Sequence, residues 1–179
     1  MYIMIQKCSL WQVLSVFFDE PLKIHYIKEI ARKIDLAPTS VKNHLNKLLK
    51  ENLVLKRKGE RFVGFISNRE NEGFLFYKKI DNLMKLRESG LLSHLIESFY
   101  PEVIISYGSY VKGEDVEGSD IDIFILTKVK KQLNLKKFEN ILKRDIHIIM
   151  ESDLERLAKA LRSEIINGSI LYGYLNISK

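Results

Sequence analysis

Residues 108–123 read Gly-Ser-Tyr-Val-Lys-Gly-Glu-Asp-Val-Glu-Gly-Ser-Asp-Ile-Asp-Ile: a glycine-serine turn, a polar spacer, and two aspartates one residue apart. The apolar run before it, Val103-Ile104-Ile105-Ser106-Tyr107, reads as a buried strand, and Ile121-Asp122-Ile123-Phe124-Ile125-Leu126 after it reads as that strand's neighbour. The turn and the carboxylates are therefore expected at the rim of a sheet. Side chains alternate along a strand, so Asp120 and Asp122 should point one way while Ile121, Ile123 and Ile125 enter a core. Two adjacent carboxylates repel each other, and a hard divalent cation with positions left for phosphate oxygens is the simplest reason to keep both. Gly108 and Gly113 allow the backbone to approach a ligand, Ser109 offers a hydroxyl and an amide to an anion, and Ser119 is placed to brace the turn. An ordinary surface turn uses the same residue types. What sets this stretch apart is their conjunction in one short span.

On these residues the chain resembles the nucleotidyltransferase superfamily that includes DNA polymerase beta, and most closely its minimal branch. The quoted pattern is Tyr107-Gly108-Ser109, ten intervening residues, then Asp120-Ile121-Asp122, with the branch's additional Gly113 and Ser119. The resemblance implies nucleotide contacts at Gly108, Ser109, Lys112, Gly113 and Ser119. It also implies two Mg²⁺ ions held by Asp120, Asp122 and a third carboxylate, and transfer of a nucleoside monophosphate from NTP, foremost ATP, to an acceptor hydroxyl. The third carboxylate expected is Asp145, as metal ligand and catalytic residue. In Arg144-Asp145-Ile146-His147-Ile148-Ile149-Met150, alternation puts Ile146, Ile148 and Met150 on one face and Asp145 and His147 on the other. Glu151 is its rival, and Asp145 pairing with Arg144 at the start of a strand is the structural alternative. Lys112 stands where many relatives carry arginine, keeping the charge but losing the bidentate fork. Small members of the branch include antitoxins that place AMP on a partner toxin, so a partner protein is among the acceptors implied.

Charge is divided unevenly along the 179 residues. Residues 1–88 hold 17 Lys plus Arg against 10 Asp plus Glu, whereas residues 89–179 hold 12 against 13. The whole excess thus lies in the first half, which points to a polyanionic partner there. Cys8 is the only cysteine, so an intrachain disulfide is excluded and a reducing, cytoplasmic setting is expected. No apolar run is long enough for a membrane span.

The N-terminal pattern is helix, helix, helix, hairpin. Leu10, Val13, Leu14, Phe17 and Phe18 keep helical spacing until Pro21; Ile27, Ile30, Ala31 and Ile34 form a second helix; Val41, Leu45, Leu48 and Leu49 form a third, with Pro38 in its first turn. Leu53–Lys56 and Phe62–Ile66 then flank Arg57-Lys58-Gly59-Glu60-Arg61, a hairpin with a basic tip. This arrangement resembles the winged helix-turn-helix domain. Carried onto this chain, the resemblance implies double-stranded DNA as partner, with Thr39, Ser40, Lys42, Asn43 and Lys47 at the groove and Arg57, Lys58 and Arg61 at phosphates. A solvated lysine face, or a protein-docking module, is the bland alternative.

The expected fold is α+β: a winged helix-turn-helix domain over 1–69, a connecting helix over 70–90, and a nucleotidyltransferase domain with a mixed sheet flanked by helices over 91–179. The connecting helix spreads its apolar residues over more than one stripe, which leaves pairing with a second copy as a homodimer open. Asp153 to Asn167 reads as one helix and Ile170–Tyr174 as the last strand. Two functions remain. One is a metal-dependent nucleotidyltransferase with a DNA-binding or regulatory N-terminal domain; the other is a transcriptional regulator whose second domain senses a nucleotide without turnover.

Overall fold

A computed structural model describes residues 5–60 and 62–176. Arg61, one of the residues assigned to DNA, lies outside the described residues. The chain divides into two compact units, Met1–Asp81 and Asn82–Lys179.

The first unit is built on three helices and a hairpin. Helix α1 (Ser9–Asp19) buries Val13, Leu14, Val16, Phe17 and Phe18, and ends ahead of Pro21, which lacks the amide needed to continue. Helix α2 (Ile27–Lys33) buries Ile30 and Ala31 and carries Glu29 in its first turn and Arg32 and Lys33 in its last, each sign matched to the helix dipole. Helix α3 (Pro38–Lys50) starts on proline and buries Val41, Leu45 and Leu48. These apolar faces meet Leu53, Val54 and Phe74 in one core.

Strands β1 (Val54–Lys58) and β2 (Val63–Ser67) pair antiparallel. The hairpin differs from the sequence expectation, because Arg57 and Lys58 belong to β1, opposite Gly64 and Val63, and not to the tip. Gly59 N–H donates to Phe62 O at 2.9 Å, closing a tighter turn than the basic run suggested. The segment between α1 and α2 also meets β2, with His25 and Phe65 exchanging two backbone hydrogen bonds of 2.8 Å. Gly64 permits that approach, since a Cβ there would stand 2.8 Å from the His25 carbonyl oxygen.

His25 ties this unit's stability to pH. Its ring is fully buried against Phe17, centroids 5.0 Å apart, and burial pushes its pKa below the usual value of 6.5. Glu20, bonded by Lys33 Nζ at 2.7 Å and by Lys23 Nζ at 3.2 Å, is held down at about 2, chiefly by the Lys33 bond. Both groups bind protons more readily unfolded than folded, so each stabilises at high pH and loses its contribution as pH falls. The first unit should therefore weaken as pH drops below about 6.5, where unfolded histidine charges. A second loss of about 1 kcal/mol, reduced by solvent screening, should follow between the ordinary carboxylate pKa and about 2. Urea midpoints measured from pH 8 to pH 3 check this, and His25→Phe should shrink the first step to what His44, also lowered by burial, contributes, leaving the second unchanged.

Helix α4 (Glu72–Glu88) supplies Phe74 to the first core and Leu86 to the second. The second unit continues through α5 (Leu91–Phe99), β3 (Val103–Tyr107), the single turn α6 (Ser109–Lys112), β4 (Ile121–Leu126), α7 (Lys136–Leu142), β5 (Ile146–Glu151), α8 (Lys159–Ile166) and β6 (Ser169–Gly173). Its sheet order is β5-β4-β3-β6: β3 runs antiparallel to both neighbours and β5 runs parallel to β4. The unit is thus a mixed sheet with helices, and the chain is α+β. One face of the sheet packs Ile104, Ile121, Ile123, Ile125 and Ile146 against Leu95, Phe99 and Phe138. The other packs Val103, Ile105, Tyr107 and Phe124 against Ile165 of α8.

The helix expected over Asp153 to Asn167 is broken. The Asp153 side chain accepts the Glu155 N–H at 2.9 Å and caps a 3₁₀ turn, Leu154–Arg156. Leu157 is then extended (φ −84°, ψ 148°), so α8 starts afresh at Lys159. Local capping by aspartate here overrides the apolar spacing.

Candidate active site

Strand β3 delivers the chain to Gly108, whose φ of 77° and ψ of −162° are open to glycine and strained for other residues. A Cβ at Gly108 would stand 2.7 Å from Asp122 Oδ2. The loop therefore passes directly over the second aspartate, and Gly108 is there because of that carboxylate. Ser109 starts α6, which buries Tyr110 and Val111, leaves Lys112 exposed, and ends at Gly113 in the left-handed conformation (φ 77°). Glu114 N–H returns to the Ser109 carbonyl at 3.0 Å.

The spacer is anchored from within the unit. Asn82 Nδ2 donates to Tyr110 O at 2.7 Å and to Asp115 Oδ1 at 2.8 Å, while an Arg144 guanidinium nitrogen lies 3.6 Å from Asp115 Oδ2. Asp115 is buried, so this spacer is a fixed strap. At its end the Ser119 hydroxyl accepts the Val116 N–H at 3.0 Å and closes the turn that aims Asp120.

Asp120 is exposed at the start of β4, and Asp122, one pleat further, is half-buried with its carbonyl accepting the Ser106 hydroxyl at 2.9 Å. Both share the face of Phe124, while Ile121, Ile123 and Ile125 fill the opposite core. The β4–β5 register sets His147 beside Asp122 and, continued one step before the Ile121–Ile146 pair, sets Asp145 opposite Asp120. Glu151 pairs with Leu126 at the far end of β5, four residues from His147 and hence about 13 Å away, which removes it as the rival third carboxylate. Asp145 is exposed, and its carbonyl accepts the Ile121 N–H at 2.9 Å.

Electrostatics single out Asp122. Burial first, and then the charges of Asp120 and Glu164, push its carboxyl above the usual range, with His147 opposing them. Burial, Asp122 and Glu164 raise the Tyr107 phenol as well. Glu164, on α8, is the functional candidate that sequence reading missed, because its helix reaches the carboxylates only after folding across the sheet. Burial and the neighbouring acids thus disfavour the ionised form of Asp122, the situation a bound cation relieves. Mg²⁺ needs only one or two protein carboxylates when phosphate oxygens and water complete its shell, so Asp120 and Asp122 fit the ion that the resemblance implies. Among the described residues no group of three or more His, Cys, Asp or Glu is already gathered around one metal position.

The residues assigned to DNA lie on two elements of the first unit. Thr39, Lys42, Asn43 and Lys47 are exposed on α3 and Ser40 is half-buried, while Arg57 and Lys58 are exposed on β1. Lys47 also lines an apolar pocket of about 420 Å³ with Trp11, Leu14 and Leu48. None of the described helices is long and apolar enough to cross a membrane.

No curated protein and no solved structure matches the chain. Residues 91–174 match the family model described as Polymerase beta, Nucleotidyltransferase, and cover every element from α5 to β6. With the Gly108 loop seated on Asp122 at the head of the matched sheet, that match supports placing the second unit of this chain in the nucleotidyltransferase superfamily.

Proposed function

We propose that the second unit transfers a nucleoside monophosphate, AMP foremost, from a nucleoside triphosphate to an acceptor hydroxyl. The observation that carries this reading is the close approach of the Gly108 loop to Asp122, which sets the glycine-serine turn beside a carboxylate pair. Gly108, Ser109 and Gly113 hold the triphosphate, Lys112 offsets its charge, and Ser119 keeps Asp120 aimed at it. Asp120 and Asp122 would hold Mg²⁺, with Asp145 as the nearest further carboxylate. When bound, the ion neutralises phosphoryl charge and lowers the pKa of an acceptor hydroxyl. Most of the rate gain comes from positioning and charge cancellation, which a rigid strap and two strands supply. The resemblance implies a partner toxin as acceptor, and the reducing cytoplasm suits a chain with one cysteine.

The first unit we read as a winged helix that brings this activity to double-stranded DNA. Arg57→Glu with Lys58→Glu should weaken duplex binding at least tenfold and flatten its salt dependence. Unchanged binding in a titration by fluorescence anisotropy would sink the DNA assignment.

A second reading, a regulator whose second unit senses nucleotide without turnover, is favoured by one observation: the described residues gather no three metal-binding groups at one point. Incubation with Mg²⁺, α-labelled nucleoside triphosphates and lysate of the source cells separates the two. Label should reach an acceptor with the wild-type chain and not with Asp120→Ala or Asp122→Ala. Nucleotide binding with no transferred label would support the sensor.

A further inference from the structure

The first unit holds a pocket that nucleotidyl transfer does not use. It measures about 420 Å³ and lies between α1, the last turn of α3 and the start of α4. Leu10 and Leu14 from α1, Leu48 from α3, Leu53 ahead of β1, and the rings of Trp11 and Tyr77 give it apolar walls. Native cores hold few voids larger than a water molecule, whereas pockets for small molecules run from about 300 to 1,000 Å³. The size is that of a ligand site and not of a packing defect.

The lining selects the chemistry of an occupant. Trp11 and Tyr77 meet edge to face, with centroids 6.1 Å apart and planes at 82°, so the pair presents two rings set nearly at right angles, a wall against which a flat ring packs. The Trp11 N–H is already given to Asp81 Oδ1 at 2.9 Å, and Asn71 Oδ1 already accepts the Phe74 N–H at 3.0 Å. Little hydrogen bonding is left to satisfy. Lys47 and Glu51, four residues apart and both exposed, bring one charge of each sign to the lining. With no net charge there, the pocket suits an uncharged molecule. A cavity of about 150 Å³ holds one benzene, so this one has room for roughly two to three rings.

We propose that this pocket binds an uncharged, flat aromatic molecule, and that the molecule acts as an effector of the first unit. The binding half stands on the size and lining of the pocket. The effector half rests on the DNA reading above: Lys47 and Leu48 belong to the helix that carries Thr39, Lys42 and Asn43, so an occupant that shifts or stiffens the end of α3 changes how that helix meets a groove. By linkage, duplex DNA changes the affinity for the small molecule by the same factor.

The chain carries its own reporters, because its only tryptophan, Trp11, and its only cysteine, Cys8, both line the pocket. The test titrates the full chain with N-phenyl-1-naphthylamine, an uncharged aromatic fluorophore that accepts energy from tryptophan. Energy transfer from Trp11 should saturate, and the bound fluorophore should slow the reaction of the exposed Cys8 thiol with a disulfide reagent about threefold or more. Gly73→Leu should weaken binding about tenfold or more. A Cβ at Gly73 would stand 3.6 Å from Leu53 Cδ2, so the new side chain enters the pocket, and leucine favours a helix more than glycine does. Phe76→Ser, at an exposed position of α4 outside the lining, should bind as wild type, with circular dichroism melting as the fold control for both variants. No energy transfer, a Cys8 thiol equally reactive with and without the fluorophore, or wild-type affinity in a folded Gly73→Leu chain overturns the binding half. Binding that falls as the chain is concentrated, with a dimer by light scattering, gives the pocket to a second copy and overturns it as well. Saturating fluorophore should change the affinity for a duplex about fivefold in the wild-type chain and leave Gly73→Leu unmoved. Equal duplex affinity with and without it overturns the effector half; a chain that binds no duplex ends the DNA reading and that half together, while the pocket stands.

Discussion

Asp122→Asn should raise the melting temperature of the metal-free chain while lowering nucleotidyl transfer at least a thousandfold. The two effects have one cause. Asp122 is half-buried, with the charges of Asp120 and Glu164 acting on it, so at neutral pH its ionised form is unfavourable in the folded state. A carboxyl whose folded pKa is raised costs stability in full above that folded value; the cost shrinks as pH falls through it and is gone below the unfolded value. The neutral amide removes that cost at pH 7 and keeps the shape. It also removes half of the proposed cation site, and losing a ligand that works mainly in the transition state lowers kcat. Addition of Mg²⁺ with ATP should raise the melting temperature of the wild-type chain, by mass action, and leave the Asn variant unmoved. Differential scanning fluorimetry reads all of this. A variant less stable than wild type, or stabilised equally by Mg²⁺ and ATP, would show that Asp122 is a structural carboxylate.

Gly108→Ala is expected to fail from the other side of the same contact. The new methyl would meet Asp122 Oδ2 at 2.7 Å, on a backbone whose φ is 77°. A non-glycine residue in this region costs about 1–3 kcal/mol, and relief requires Asp122 or the loop to move. Transfer should drop by at least two orders of magnitude, since a displacement of about 1 Å is enough for that. Gly118→Ala serves as its comparison. Gly118 also has positive φ (82°), but its Cβ would meet nothing within 4 Å, so strain alone should appear there with most activity kept. Equal activity losses in the two variants would separate the Gly108 loop from the carboxylate.

Much of this site was legible because its parts are local. Gly108 to Asp122 lie within one loop and one strand, where residue type and alternation set which atoms face outward, and Ile121, Ile123 and Ile125 enter the core for the same reason. Asp145 and His147 shared a face in the sequence, but which of them stands beside Asp122 depends on the parallel register, and that is fixed by packing of the whole crossover. Glu164 carried no signal, since its position follows from how Ile165 docks on Val103, Ile105 and Phe124. The break at Leu157 and the short hairpin turn are local instead, set by the Asp153 cap and the Gly59–Phe62 hydrogen bond, which apolar spacing does not register. The lysine-rich segment between β4 and β5 was present in the composition yet hidden by it, because acids elsewhere in the second half cancel its charge in any sum over that half.

The fate of individual phosphorus atoms tests the central claim most directly. The purified chain, given Mg²⁺, ATP labelled at the α or the γ phosphorus, and its acceptor, should leave α label on the acceptor and release γ label as pyrophosphate. The Asp122→Asn variant should do neither. Label from the γ phosphorus on the acceptor, or release of γ label as orthophosphate, would contradict nucleotidyl transfer at this site.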